Sequence, residues 1–212
     1  MRRWHDRFDR PAYHHGNLKQ ALTEAARRFI AERGLGGFTL ADAAKLVGVS
    51  PTAVYRHFSG RDDLVSEVAG RGFDQLAERL ARALRGPGTP IERFTRMGET
   101  YLAFAEEEPG FYTAMFASPP GHEPRAPWEL PAGPADASAS AFNILVNALM
   151  MTFPEGLDGA DPRFIALEVW ALSHGIAMLS AARQLPRGPG VPDKYELLRA
   201  GVLALVHRAG AA

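Results

Sequence analysis

Trp170 and His174 stand four residues apart, so on a helix their side chains share one face. An indole beside an imidazole admits two uses. It can form the wall of an apolar pocket, or it can be a structural pair in which the tryptophan is core and a neighbour satisfies the histidine. Glu168 lies nearby, but a carboxylate and an imidazole alone make a thin case for catalysis. The sequence has no nucleophile elbow, no Gly-rich phosphate loop, no cluster at metal-ligand spacing and no paired carboxylates on one face. An enzyme is therefore not expected. His14 and His15 are adjacent, diverge on a helix and lack partners at ligand spacing, so neither a metal nor a cofactor is expected. The triplet Glu106-Glu107-Glu108 reads as a solvated helix end.

The elements that must position these groups are bounded by composition. The chain has 212 residues, 46% of them apolar, which is enough for a core. It has no cysteine, which excludes disulfides and thiolate chemistry. The charged start from Met1 to Arg10 is not followed by the apolar stretch of a signal peptide. No uninterrupted apolar run approaches the roughly 18 residues of a membrane span. A cytoplasmic location with no membrane partner is expected. Net charge is zero but uneven: residues 1–60 carry ten Lys/Arg against five Asp/Glu, and residues 61–212 carry fourteen against nineteen. A basic end on a neutral chain is what contact with phosphate at one end requires.

The pattern is helical almost throughout, so the expected fold class is all-α, with no convincing strand. Residues 1–15 read as a flexible basic arm. A helix over about 17–33 carries Leu18, Leu22, Ala25, Ala26, Phe29 and Ile30 on one face. Thr39 caps a second helix that Gly48 ends, and Ser50 caps a third, with Pro51 in its first turn and its end near Phe58. The short joint Gly48-Val49-Ser50 is the turn of a helix-turn-helix. A long fourth helix starts near Arg61 and breaks at Gly86-Pro87-Gly88. Further helices are expected over about 91–107, 109–117, 136–152, 161–184 and 192–208, with a proline-rich loop over 118–135. The domains expected are the arm, a DNA-binding unit over 16–62 and a larger helical unit over 63–212. The 161–184 segment is apolar nearly all round and must be buried on every side; one side would meet a second subunit. Gly175 and Gly201, inside helices, point the same way, because close helix–helix approach offsets their cost.

Residues 38–64 resemble the DNA-binding signature of the TetR family: Gly48-Val49-Ser50, then Tyr55-x-His57-Phe58, then Arg61, Asp62 and Leu64. The resemblance covers roughly residues 14–66. Tyr13-His14-His15-Gly16-Asn17-Leu18, together with Trp170-x-x-x-His174-Gly175, is similar to members with a Trp-x-x-x-His-Gly C-terminal domain. The resemblance implies that the third helix enters the major groove, with Ser50, Pro51, Thr52 and Ala53 nearest the bases. Tyr55, Arg56 and His57 are then placed for phosphate or sugar, and Thr39 and Arg61 for the backbone at two helix starts. Family members often carry polar readers where this chain has Ala41 and Ala53. Direct readout is therefore thin, and shape readout or the arm residues Arg2, Arg3, Arg7 and Arg10 would add to it.

The resemblance also implies a ligand pocket in the C-terminal unit. Phe104, Tyr112, Met115, Phe116, Phe142, Met150, Trp170, His174 and Met178 are its candidate lining, since methionines and aromatics line adaptable apolar sites. The expected function is a sequence-specific transcription regulator, a repressor released from a palindromic operator on double-stranded DNA by a small apolar effector. The homodimer would form through the last two helices. The alternative is a helical small-molecule binding protein without specific DNA binding.

Overall fold

The computed structural model describes residues 18–116, 137–154, 157 and 161–209. The expected arm over 1–15 and the loop over 118–135 lie outside the described residues. Nine α-helices and one 3-10 turn make up the described chain, which contains no strand.

The first three helices form a small unit. Helix α1 (Leu18–Arg33) buries Leu22, Ala25, Ala26, Phe29 and Ile30. A 3-10 turn (Leu35–Gly37) then brings Phe38 back to stack on Phe29, with ring centroids 5.9 Å apart. Helix α2 (Leu40–Val47) ends at Gly48, whose left-handed backbone (φ 81°, ψ 30°) suits glycine. Helix α3 spans only Pro51–Val54 rather than running to Phe58. The Val54 carbonyl accepts from both His57 N–H and Phe58 N–H, so the chain tightens into turns after Val54. That tightening delivers Phe58, 1% exposed, into the core beside Val54 and Leu64.

Helix α4 (Arg61–Arg85) has 25 residues, a rod of about 37 Å at 1.5 Å per residue. It belongs to both halves of the molecule. Helix α5 (Pro90–Glu107) opens on a capping box made by Thr89 and Glu92. Helix α6 (Pro109–Met115) crosses between α1 and α4. At Gly72 of α4 a Cβ would lie 2.8 Å from Met115 Cγ and Sδ, so the glycine admits α6 at close range. Helices α7 (Ala137–Thr152), α8 (Pro162–Ala181) and α9 (Lys194–Ala209) complete the bundle.

Two further expectations change. Helix α8 ends at Ala181, not 184, because Arg183 adopts a left-handed conformation (φ 56°) ahead of Pro186. Glu106, Glu107 and Glu108 are not merely a solvated end, because the end of α5 is where α1, α4, α8 and α9 converge. Glu108 pairs with Arg27 (3.3 Å) and Arg79 (3.0 Å), Glu107 pairs with Arg79 (2.6 Å), and Glu106 meets Lys194 and Ser180. Within the single chain α8 leaves Phe164, Met178 and Leu179 exposed, which accords with one side being kept for a second subunit. By length and composition this 20-residue helix could cross a membrane, with mean hydropathy 1.5 over its most apolar window. Its inner side, however, packs on α5, α7 and α9 as a core helix does.

Candidate nucleic-acid interface and effector cavity

The turn between α2 and α3 sets out one exposed face. Val54 and Phe58 anchor α3 from beneath, and Ser50, Pro51, Thr52, Tyr55, Arg56 and His57 are left outside. Ala53 is half-buried, and Tyr55 is 62% exposed, high for so large a ring. The Ser50 hydroxyl makes no capping bond, so it stays available to a partner.

Thr39 and Arg61 flank this face at the starts of α2 and α4, and both already have neighbours. Thr39 accepts at its hydroxyl from Asp42 N–H (3.2 Å). Its own N–H and hydroxyl reach Asp42 Oδ2 at 2.8 and 2.7 Å. Those two donations hold the Asp42 carboxyl below its usual range. A phosphate contact by Thr39 therefore means exchanging the Asp42 carboxylate for a phosphate oxygen. The Arg61 guanidinium lies 5.2 Å from the Phe38 ring centroid and 3.3 Å from Asp62 Oδ1. It is steered by an aromatic face and one carboxylate rather than left to wander. Sequence reasoning missed Asp63, which accepts from both Ser59 N–H (2.8 Å) and the Ser59 hydroxyl (3.1 Å) and so fixes the entry into α4. The signal was a serine followed four residues later by an aspartate.

The second site is a half-open cavity of about 100 Å³ lined by α4, α5, α7, α8 and α9. Its floor is apolar: Leu80, Phe94, Met97, Leu145, Val169 and Val202 among others. Exposed Ile91 and Leu203 stand at its edge, with Glu99 and Arg199 nearby. Trp170 lines this cavity; Phe104, Tyr112, Met115, Phe116, Phe142, Met150, His174 and Met178 do not. Phe104 is core, and its ring lies under the Arg79 guanidinium. Met150 and Met178 are about half exposed on the outer surface. Tyr112, Phe116 and His174 form a separate aromatic cluster, with Phe116 and His174 centroids 4.3 Å apart and Met115 buried alongside against α4. Phe142 packs on Trp170, outside the cavity wall.

A chain of polar groups joins the cavity to that cluster. Tyr101, on the cavity wall, has its hydroxyl 3.3 Å from the Tyr112 hydroxyl, which lies 2.8 Å from His174 Nδ1. Burial favours the neutral form of all three. It pushes Tyr101 well above the usual tyrosine value and Tyr112 up to about 12, and it lowers the His174 imidazole. No group of three or more metal-ligating side chains occurs among the described residues.

A helix-turn-helix presented on a helical body that carries an apolar cavity defines a class: the regulators that couple DNA to a helical second domain. Residues 22–68 match the family model described as bacterial regulatory proteins, tetR family, and residues 94–205 match that of the tetracyclin repressor-like C-terminal domain. The chain belongs to the TetR family and is a DNA-binding transcriptional regulator. It is 26% identical to the uncharacterised HTH-type transcriptional regulator Rv0681 of Mycobacterium tuberculosis, over 76% of this chain and 69% of that one. It is 34% identical to the HTH-type transcriptional repressor KstR2 of the same species, over 41% of this chain and 43% of that one. A solved structure of a protein of unknown function from Rhodococcus sp. RHA1 is similar over 93% of this chain and 97% of its own, with TM-score 0.72 and 26% identity. The family is a regulatory one.

Proposed function

We propose that this protein is a homodimeric repressor that binds a palindromic operator through its 50–57 turn and is released by a small apolar ligand in the cavity. One observation carries the reading. Helix α4 starts at Arg61, beside the exposed reading face, and places Leu80 in the cavity wall. A ligand that fits better when α4 is displaced therefore favours the arrangement less suited to DNA. The similar KstR2 is a repressor, which supports the sign of regulation. The cytoplasm, where its DNA partner lies, is the site of action.

Thr52 and Ser50 are the base readers, Tyr55, Arg56 and His57 hold phosphate or sugar, and Thr39 and Arg61 clamp the backbone on either side. Pro51 and Ala53 supply apolar contact of the kind a thymine methyl accepts. The dimer forms through α8 and α9. Phe164, Met178 and Leu179 give α8 an exposed apolar side, and a Cβ at Gly175 would meet nothing within 4 Å. Two such units present recognition elements one helical turn apart, about 34–36 Å.

The test is selection of bound duplexes from a random pool by the purified full chain at fixed salt. A palindromic motif with half-sites one turn apart is expected. Absence of any motif, with helical content intact, would overturn the repressor reading in favour of a small-molecule binder.

A further inference from the structure

The cations of the DNA-binding unit divide by whether a carboxylate neutralises them. Lys19 is paired with Glu67, and Arg27 and Arg28 are paired with Glu24. Arg33, Lys45 and Arg56 form no ion pair among the described residues. Arg56 belongs to the reading face already described. Arg33 is held in place with no carboxylate to neutralise it.

Arg33 closes α1 and is exposed. Its guanidinium carbon lies 4.8 Å from the Phe29 ring centroid, and its N–H groups make no hydrogen bond among the described residues. A Cβ at Gly37 would fall 2.2 Å from Arg33 Cβ, so glycine there lets the 3-10 turn pass against Arg33, two residues before Thr39. Phe29 stacks on Phe38 at an interplanar angle of 11°, and Arg61 lies over Phe38. One buried ring pair therefore carries a guanidinium from the end of α1 on one ring and a guanidinium from the start of α4 on the other. Charge places Arg33 near the start of α2 as well. The Thr39 hydrogen bonds lower the Asp42 carboxyl most, and the Arg33 and Lys45 charges lower it further.

A basic residue in the last turn of a helix is ordinarily explained by the macrodipole. That accounts for a charge at position 33, which a lysine would serve equally. It does not account for the aromatic seat, the glycine that admits the side chain, or the support shared with Arg61. A guanidinium laid on an aromatic face loses little freedom on binding and keeps its planar fork of donors for a phosphate.

We infer that Arg33 is a further contact to the DNA backbone, and that the Phe29–Phe38 pair is the rigid spacer holding Arg33 and Arg61 as two phosphate clamps. This rests on the reading in which Thr39 and Arg61 meet the backbone.

The experiment measures binding of the full chain to a mixed-sequence duplex by fluorescence anisotropy at several salt concentrations, because phosphate contacts dominate such binding. Arg33→Gln is expected to weaken binding about threefold to tenfold at the lowest salt and to reduce the salt slope by about one. Arg33→Lys keeps the charge but not the fork, so it should keep the slope and lose about threefold in affinity. Arg82→Gln removes an equal charge from α4, about 31 Å along the helix from Arg61, and should leave the slope alone. Unchanged slope and affinity in Arg33→Gln, or an equal loss in Arg82→Gln, would overturn the inference. If Arg61→Ala reduces the slope while Arg33→Gln does not, the backbone reading of Thr39 and Arg61 stands without it. If neither reduces the slope, or the unaltered protein binds no duplex at low salt, both fall. Should Arg33→Gln fail to fold, Arg33→Lys decides, and affinity equal to that of the unaltered protein is then the overturning result.

Discussion

The carbonyl oxygen of Arg27, on α1, occupies the space that a side chain at Gly110, on α6, would need. The backbones of the DNA-binding unit and of the helical body therefore come into direct contact here, and only glycine permits it. Around that point Arg27 lies over the Phe111 ring (5.3 Å to the centroid) and pairs with Glu24 and Glu108. The same helix α6 carries Tyr112, which bonds His174 of α8. A shift of α8 relative to α5 thus has a short path of packed groups to α1.

Gly110→Ala should lower stability by about 1–3 kcal/mol, the usual cost of overpacking a well-filled interface. Gly70→Ala on α4, where a Cβ meets nothing within 4 Å, should instead stabilise by roughly 0.5–1 kcal/mol through helix propensity. Urea unfolding of the two variants separates them. Equal effects would mean that the close approach at Gly110 is not maintained in solution.

Tyr55 and Phe58 are three residues apart and should behave oppositely. Tyr55→Ala removes an exposed ring, so stability should stay within about 0.5 kcal/mol. Operator affinity should nevertheless fall about tenfold or more. Phe58→Ala empties a core position and should cost about 3–5 kcal/mol. A Tyr55 variant that unfolds early yet binds DNA normally would make that ring a packing residue.

Arg61→Ala and Thr52→Ala divide affinity from specificity. Loss of the Arg61 guanidinium should weaken binding to all sequences and reduce the salt slope by about one. Thr52→Ala should change preference at particular base pairs and leave the slope alone. Binding isotherms at several salt concentrations, on operator and on scrambled duplex, read both. Indistinguishable variants would refute the division of roles.

His174 gives a pH dependence of definite sign. Burial lowers its imidazole below the unfolded value of about 6.5, so the unfolded chain takes up the proton first as pH falls. Stability is full above about pH 6.5 and declines as pH drops toward the lowered folded value. Glu24, Glu67 and Glu106, held below the usual carboxylate range, act only at more acidic pH. Urea midpoints between pH 7 and 5.5 should fall in the unaltered protein and stay nearly flat in His174→Asn. Parallel slopes would show that His174 is not the group responsible.

Gly175→Glu tests the proposed dimer face. A Cβ there meets nothing within 4 Å among the described residues, so the monomer fold should survive. A buried unpaired charge at a subunit interface should dissociate the dimer. Light scattering should report half the mass, with unchanged helical content by circular dichroism; a dimer that persists would move the interface elsewhere.

Much of this protein was legible in residues 38–64, because the signals there are local. Thr39 as cap, the left-handed turn at Gly48, Pro51 in the first turn of α3 and the burial of Val54 and Phe58 depend on neighbours a few residues away. The all-α class followed likewise from periodicity. What the sequence could not determine was which of many apolar side chains enclose space. Of the nine candidate pocket residues only Trp170 lines the cavity, because Phe104, Met150 and Met178 differ in environment through helix rotation and crossing, not through residue type. The ion pairs of Glu106, Glu107 and Glu108 and the glycine contact at Arg27 were equally hidden. They join positions distant in sequence, and only the folding of α1, α4, α6 and α9 around the end of α5 brings them together.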